Sequence, residues 1–333
     1  MQYNQFPGTR LSVSNFCLGT MTFGGQTKEE TALDIIHYAL DCGINFIDTA
    51  DIYPDAGGRS GAASEIAVGK AIKDCREDII LATKIRYPMG RGLNNRGLSR
   101  RHILRGIDES LKRLQTDYID IYYLHAPDWK TPLEETLYTM DSLVRAGKIR
   151  YYGFANFPAW LISDALALAD RRGYAAPVIT QNVYNLLTRS LENELLPCAK
   201  AHRLAVTIYN PLCGGLLTGK HDFAKGPAKN TRFADDPDYM DRYWTQENFQ
   251  AIDKLKALAA DAGMSVTELS LRWCLSQDSI TSALIGCSKL EQLQANIQMV
   301  EKGALPQNIL DSCDEIWKQV SGNRFYYTNQ RQD

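Results

Sequence analysis

A chain of 333 residues with 44% hydrophobic content carries enough apolar surface for a large core, and its formal net charge of −2 gives no electrostatic reason to expect nucleic acid or an anionic membrane as a partner. No apolar run is long enough to cross a bilayer. Met1-Gln2-Tyr3-Asn4-Gln5-Phe6 has no basic stretch followed by an apolar one, so the expected setting is cytoplasmic. The eight cysteines are scattered without a Cys-x-x-Cys pair and read as small reduced core residues rather than as a disulfide frame or a zinc site.

Tyr3-Asn4-Gln5-Phe6 and Arg10-Leu11-Ser12-Val13 flank Pro7-Gly8 and predict a β-hairpin. Phe16-Cys17-Leu18-Gly19 follows as a first buried strand ending at Thr20-Met21. Thr27 and Glu30 have capping-box spacing. Leu33, Ile36, His37 and Leu40 then recur at helical period until Gly43, and His37 reads as a packed helix residue. The short run Phe46-Ile47 ends in Asp48 and opens into a loop carrying Tyr53. A helix through Ala67 to Ile72 leads to the run Ile79 to Thr83, which ends in Lys84. After a Gly/Arg/Asn-rich stretch from Tyr87 to Gly97, Ser99 starts a helix with Ile103, Ile107, Leu111 and Leu114 inward. The run Ile119 to Leu124 then ends in His125.

The alternation continues. A helix from Leu133 to Val144 stops at Gly147 before the strand Ile149 to Phe154. A helix from Leu161 to Leu168 precedes the strand Val178 to Gln181. A helix near Leu195-Leu196 precedes Ala205 to Tyr209. A polar insertion covers Lys220 to Thr245, and helices from Glu247 and Ser265 lead to the strand Ser282 to Gly286. Helices from Ser288 to Val300 and from Ile309 to Val320 complete the pattern. Eight strands separated mostly by helices imply a parallel sheet covered by helices, and eight such units close into an α/β (β/α)8 TIM barrel. An open doubly wound sheet is the alternative, but Gly19 is followed by Thr-Met-Thr-Phe instead of a dinucleotide fingerprint. No linker or composition break interrupts residues 1–333, which read as a single domain with an N-terminal hairpin and a C-terminal helical tail.

Catalysis in parallel barrels sits at the carboxyl ends of the strands. Three successive strands therefore deliver Asp48, Lys84 and His125 to one face, with Tyr53 just above. Tyrosine is a weak acid, with a pKa near ~10. An ammonium beside it stabilises the phenolate, and a carboxylate keeps that lysine charged and oriented. With His125 donating to a substrate oxygen, the set suits proton delivery to a carbonyl oxygen. The chain shows no nucleophile paired with a base, as acyl transfer requires, and no metal cluster at recognisable spacing. A barrel aldolase would use Lys84 as a Schiff base, which the neighbouring Asp48 and Tyr53 disfavour.

Over nearly its whole length the chain resembles the aldo-keto reductases, and within them the branch of potassium-channel β subunits and similar bacterial reductases. The resemblance is carried by Leu18-Gly19-Thr20-Met21-Thr22-Phe23-Gly24, Gly43 to Tyr53, Ala82-Thr83-Lys84, Asp117-Tyr118-Ile119-Asp120, Leu124-His125, Gly147-Lys148-Ile149-Arg150 and Pro211 to Lys220. It implies a barrel binding NADP(H) in an extended pose, with NADH as a possible substitute. Tyr53 would be the general acid, Lys84 and Asp48 its tuning pair, and His125 the group orienting a small carbonyl substrate. Thr20, Met21 and Asp48 would border the cofactor. Asn156 and Gln181 would bind the nicotinamide carboxamide, and Tyr209 would stack on its ring. Asn210, Pro211, Leu212, Gly214, Leu216, Lys220 and Arg232 would cover the pyrophosphate, and Gly286, Ser288, Gln292 and Asn296 the adenosine end.

Ser288 with Glu291 also reads as a capping box, and that helix start suits a 2′-phosphate. Ala155 stands where relatives carry serine, which removes one carboxamide contact; Gln292 stands where many carry a basic residue and Ala295 where some carry an acidic one, and these two changes open the choice between NADPH and NADH. An apolar substrate pocket would draw on Tyr87, Trp129, Tyr243, Trp244 and Phe325-Tyr326-Tyr327. The competing function is a nicotinamide-binding partner subunit with little turnover. The retained His125 and the lack of an N-terminal extension weigh toward an enzyme.

Overall fold

The computed structural model describes residues 1–54, 62–229 and 231–321. An antiparallel hairpin pairs β1 (Tyr3–Gln5) with β2 (Ser12–Ser14). The alternating part runs β3 (Phe16–Gly19), α1 (Glu29–Asp41), β4 (Phe46–Asp48), α2 (Ala63–Ala71), β5 (Ile80–Ile85), α3 (Arg100–Leu114), β6 (Ile119–Leu124), α4 (Leu133–Arg145), β7 (Ile149–Ala155), α5 (Ala159–Arg172), β8 (Ile179–Val183), α6 (Leu195–Ala201) and β9 (Ala205–Tyr209). Then come α7 (Arg232–Asp235), α8 (Pro237–Tyr243), α9 (Gln246–Asp261), α10 (Val266–Leu275), β10 (Ser282–Gly286), α11 (Leu290–Val300) and α12 (Gln307–Val320). Strands β3 to β10 close into a barrel in which β10 pairs in parallel with both β9 and β3. This is the (β/α)8 architecture expected from the eight apolar runs.

By internal contacts the chain groups into two compact units. The first is Met1–Asn182, Leu195–Tyr209 and Ser279–Ala295; the second is Val183–Glu194, Asn210–Asp278 and Asn296–Asp333. In the first, α1 to α6 follow one another in sequence as packed neighbours. The interior core gathers Cys17, Phe46, Ala82, Ile121, Tyr123, Ala155, Ile179 and Ala205 from the strands, with Phe6 and Val13 from the hairpin segment. Phe6 meets Phe46, the first residue of β4, edge to face with centroids 6.3 Å apart, so the hairpin plugs the amino-terminal end of the barrel.

That end is also pinned by charge. Arg76 donates to Asp120 at 2.7 Å and to the Tyr118 carbonyl at 2.9 Å. Arg76 and Arg150 both lie over the Tyr118 ring, at 4.0 and 4.2 Å from its centroid. In the second unit, Arg189 pairs with Glu192 and Asp314 and lies 4.9 Å from the Trp273 ring centroid. His221 is boxed edge-on by Phe233 and Trp244. All eight cysteines are free thiols. Among the described residues no helix is long and apolar enough to cross a membrane.

Local expectations fail at two points around α1. Thr27 does not cap the helix. Its hydroxyl pairs with that of Thr22 at 2.9 Å, and the N-cap is Lys28 without a side-chain bond. His37 is exposed, because the buried stripe of α1 is Ala32, Ile35, Ile36 and Ala39. By contrast Ser99 caps α3 as expected, accepting from the His102 amide, and Gly43 takes the left-handed φ of +81° that ends α1.

Gly153 on β7 shows how tightly the strands pack: a Cβ there would fall 2.3 Å from the Ile179 carbonyl oxygen of β8. Gly153→Ala is expected to lower the unfolding free energy by about 2 kcal/mol through overpacking, read as a lower urea midpoint at unchanged m-value.

Candidate active site

Strand register brings the polar residues together. Asp48 ends β4 opposite Ala82 of β5. Lys84 lies two residues beyond Ala82, so its side chain leaves the same face of the sheet. Lys84 and Asp48 form a fully buried ion pair. The ammonium also donates to the Thr49 carbonyl at 2.8 Å, and the second Asp48 oxygen accepts from the Gln181 amide at 2.8 Å. Each buried ion thus has a further partner, without which such a pair would cost several kcal/mol. Burial pushes the Asp48 carboxyl above the usual carboxylate value, and the Lys84 and Gln181 contacts oppose that rise.

The chain after β4 turns so that the Tyr53 amide donates to the Ala50 carbonyl at 3.1 Å and the Tyr53 carbonyl accepts from the Ser64 amide at 3.2 Å. The Lys84 nitrogen lies 5.1 Å from the Tyr53 ring centroid. His125, directly after β6, meets the Tyr53 ring edge-on at 5.9 Å and the Tyr87 ring at 4.9 Å. Its amide donates to the Ile85 carbonyl at 3.0 Å, and its own carbonyl accepts from the Asn156 side chain at 3.0 Å. The His125 Nδ1 is buried without a hydrogen-bond partner among the described residues. Burial, then the charges of Lys84 and Arg86, hold this imidazole well below its ordinary value, so it is neutral at neutral pH. A neutral imidazole, a phenol and a buried ammonium–carboxylate pair therefore meet at the carboxyl ends of β4, β5 and β6. The set can give a proton to an oxygen and hydrogen-bond that oxygen as it does so.

The other residues singled out by sequence fall into groups. Thr20 is buried beneath Asp48, donating to its carbonyl at 3.0 Å, while Met21 is exposed at the rim. Asn156 adopts a left-handed φ of +61°, which asparagine tolerates better than most residues. Its amide oxygen accepts from the Tyr209 hydroxyl at 2.8 Å. Part of the hydrogen-bonding capacity of both Asn156 and Gln181 is thus used within the protein. Ser288 does not pair with Glu291: its amide donates to the Gln292 side-chain oxygen at 2.9 Å, because Gln292 is the residue that folds back. Gly286 is exposed at the end of β10, and Asn296 is buried on α11. Trp129 is 69% exposed and stacks on Trp160 with centroids 6.0 Å apart.

In the second unit, Asn210, Cys213, Gly214 and Gly215 all have left-handed φ, giving a compact turn from Asn210 to Leu217. Pro211 and Leu216 are buried in it and Leu212 is half-buried. The amides of Cys213, Gly214 and Gly215 bond within the turn, the second of them to the Asn210 side chain at 2.6 Å. A Cβ on Gly215 would lie 4.0 Å from the Lys220 nitrogen, in ordinary van der Waals contact, so that cation stands beside the glycine turn. Arg232 donates to the Tyr239 hydroxyl at 3.2 Å and lies over its ring. The small glycine surface and these cations fit a phosphate group better than a neutral one. Tyr243 accepts from the Asn210 side chain at 3.3 Å, and Trp244 packs on His221, Phe233 and Phe249. Phe325-Tyr326-Tyr327 lies outside the described residues.

Sequence reading missed a hydroxyl chain in which Ser64 links Thr20 at 2.7 Å and Thr49 at 2.9 Å. It also missed Asp51 and Glu65, both buried. The acid at Asp51, three residues after Asp48 in an otherwise apolar stretch, was the available signal.

Residues 15–318 match the model of the aldo/keto reductase family. The chain is 37% identical to an uncharacterized oxidoreductase, YrpG, of Bacillus subtilis, covering 97% of this chain and 98% of that one. It is 34% identical to a "probable voltage-gated potassium channel subunit beta" of Arabidopsis thaliana over 95% and 96% of the two chains. It is also 33% identical to human aflatoxin B1 aldehyde reductase member 2, over 91% and 86%.

The neutral His125 sets a sign for stability against pH. An unfolded histidine titrates near ~6.5, whereas the folded ring takes up its proton only well below that. Between the two the unfolded chain binds more protons, so this contribution is complete above about pH 6.5 and shrinks as pH falls. Asp48 and Asp51, both raised by burial, act in the opposite sense. The measurement is therefore a difference. The unfolding free energy of wild type minus that of His125→Gln should decrease from about pH 7.5 to about pH 5.5.

Proposed function

The chain belongs to the aldo/keto reductase family, and on that premise we propose that it reduces an aldehyde or ketone, in one or both directions, with Tyr53 as proton donor. The observation that carries this reading is the buried Lys84–Asp48 pair with its ammonium 5.1 Å from the Tyr53 ring centroid. An ammonium so placed favours the phenolate and makes the phenol a better acid. Asp48 holds the ammonium from below, aided by Gln181 and Thr49. His125, neutral and edge-on to Tyr53, donates to the same carbonyl oxygen and fixes its position. Tyr87 and Trp129 line the substrate side, and the substrate is a carbonyl compound of partly apolar character, with sugar-derived carbonyls among the candidates.

A bound nicotinamide dinucleotide supplies the hydride that goes to carbon. Asn156, Gln181 and Tyr209 would hold its nicotinamide, with Thr20 and Met21 bordering it. Asn210 to Leu216, Lys220 and Arg232 would hold the diphosphate, and Gly286, Ser288, Gln292 and Asn296 the adenosine. NADP(H) is the preferred form in this reading. Lys289, beside Ser288 at the start of α11, supplies the positive charge that Gln292 lacks. We also take the chain to act as one cooperative domain in the cytoplasm.

The plant relative named as a channel subunit supports a second reading, a nicotinamide-binding partner subunit with little turnover. Steady-state assays across a panel of aldehydes separate the two: cofactor binding without turnover on any of them favours the partner reading.

Tyr53→Phe is expected to reduce turnover by roughly 10²- to 10⁴-fold, the usual worth of a positioned acid. Cofactor binding, read by quenching of intrinsic fluorescence, should persist. Full activity in this variant would falsify the assignment. Titrating NADPH against NADH by the same quenching should show tighter binding of NADPH.

A further inference from the structure

One cation beside the face described above lacks the acid that comparable arginines have. Arg76 pairs with Asp120 and Arg113 with Glu65. Arg86, the residue directly after β5, is half-buried and has no ion pair among the described residues. Its one hydrogen bond there runs from Nη2 to the Pro127 carbonyl at 3.4 Å, longer than usual. Nε is enclosed and without a partner. Nη1 has no partner either but is not enclosed, so its donors reach solvent. Asp128, close enough to feel this charge, spends its carboxylate elsewhere: on the Leu98 amide at 2.8 Å, the Lys130 amide at 3.0 Å and the Thr131 hydroxyl at 2.6 Å.

Arg86 stands at the candidate active site. Its guanidinium lies over the Tyr87 ring, 4.8 Å from the centroid, and the His125 ring meets that same ring edge-on at 4.9 Å. One aromatic ring therefore carries both the cation and the imidazole. The loop that accepts the Nη2 bond is the one that His125 begins. The charge of Arg86 also reaches His125, where after burial and Lys84 it disfavours the imidazolium. The residues proposed above for the nicotinamide lie on β8 and β9 and just after β7, whereas β5 stands opposite β9 in the closed strand order. The cation thus belongs with the substrate rather than with the nicotinamide.

We propose that Arg86 is the carboxylate-binding residue of the substrate site, and that the substrate is a short oxo acid with its carbonyl at Tyr53 and His125 and its carboxylate on Arg86. The subsite presupposes the carbonyl reduction proposed above. A guanidinium is always charged, and its fork matches the two oxygens of a carboxylate. Partial burial strengthens that bond, because less water competes for either group. The substrate then supplies the counterion that the fold leaves out. A doubly charged phosphate would set more negative charge against Asp128, so a carboxylate fits better. The chain between carbonyl and carboxylate is short, because the Tyr87 ring alone separates the imidazole from the guanidinium.

The test compares kcat/KM, with NADPH, for 4-oxobutanoate, its methyl ester and butanal. Wild type should prefer the acid over both neutral aldehydes by roughly 10- to 100-fold, the worth of a hydrogen bond to a charged group, and chiefly through KM. In Arg86→Gln that ratio should fall to near one. No preference in wild type, or an undiminished one in Arg86→Gln, overturns the subsite. If Arg86→Gln does not fold, Arg86→Lys decides: it keeps the charge without the fork, so the ratio should fall roughly threefold, and an unchanged ratio overturns the proposal. If no aldehyde is reduced, carbonyl reduction fails and binding decides the subsite separately. With NADP+ present and NaCl holding ionic strength, 4-hydroxybutanoate should raise the unfolding temperature of wild type along a saturating curve. Butan-1-ol should not, and Arg86→Gln should abolish the response. A flat response in wild type overturns the subsite.

Discussion

The arrangement at the top of the barrel depends on keeping one ammonium out of water. Lys84 is completely buried, and a buried ammonium needs a counterion and further acceptors or the fold cannot contain it. Asp48 and the Thr49 carbonyl meet that need, and Gln181 satisfies the far oxygen of Asp48. Gln181 sits on β8 and Asp48 on β4, which are not neighbours in the strand order. Their contact spans the interior of the closed cylinder, so the ion pair and the closure of the sheet support each other. An open sheet of the same strands would leave the carboxylate half satisfied.

Much of this was legible in the sequence because parallel barrels obey simple rules. Apolar runs ending in Asp48, Lys84 and His125 mark strand ends, and strand ends in such folds share one face. The strand positions follow from the same runs. What remained illegible lies in side-chain bonds across long separations. Thr27 has the local pattern of a cap, yet Thr22 takes its hydroxyl. His37 falls within a turn of the apolar stripe, yet the buried face of α1 is Ala32, Ile35, Ile36 and Ala39, which leaves it in solvent. Ser288 and Glu291 have ideal spacing, yet Gln292 folds back in place of Glu291. For Thr27 and Ser288 two partners of similar worth compete, and packing elsewhere in the chain decides between them. The bonds that Asn156 and Gln181 make within the protein were hidden for a related reason: an amide offers several bonds, and no spacing rule tells which stay within the protein.

Two acids three residues apart show how far environment outweighs chemical type. Asp48 and Asp51 belong to one short segment, and both are buried. The first meets an ammonium and an amide; the second meets another carboxyl and a cavity. Asp48 ends β4 and meets Gln181 across the barrel interior, whereas Asp51 lies in the turn that follows and neighbours residues of α3. One segment thus places acids in two layers, and Tyr53 follows both.

The amino-terminal end of the barrel is built in a different manner. Phe6 fills it, and Arg76, Tyr118, Asp120 and Arg150 clamp the first residues of β5, β6 and β7. None of these groups reaches the opposite rim, where Trp129 and Met21 stand in solvent. Charge and aromatic contacts interlock at one pole, while at the other Trp129 and Met21 are exposed around the buried ion pair. Evolution or a protein engineer can therefore rewrite the rim while leaving the foundation that keeps the strands in register intact.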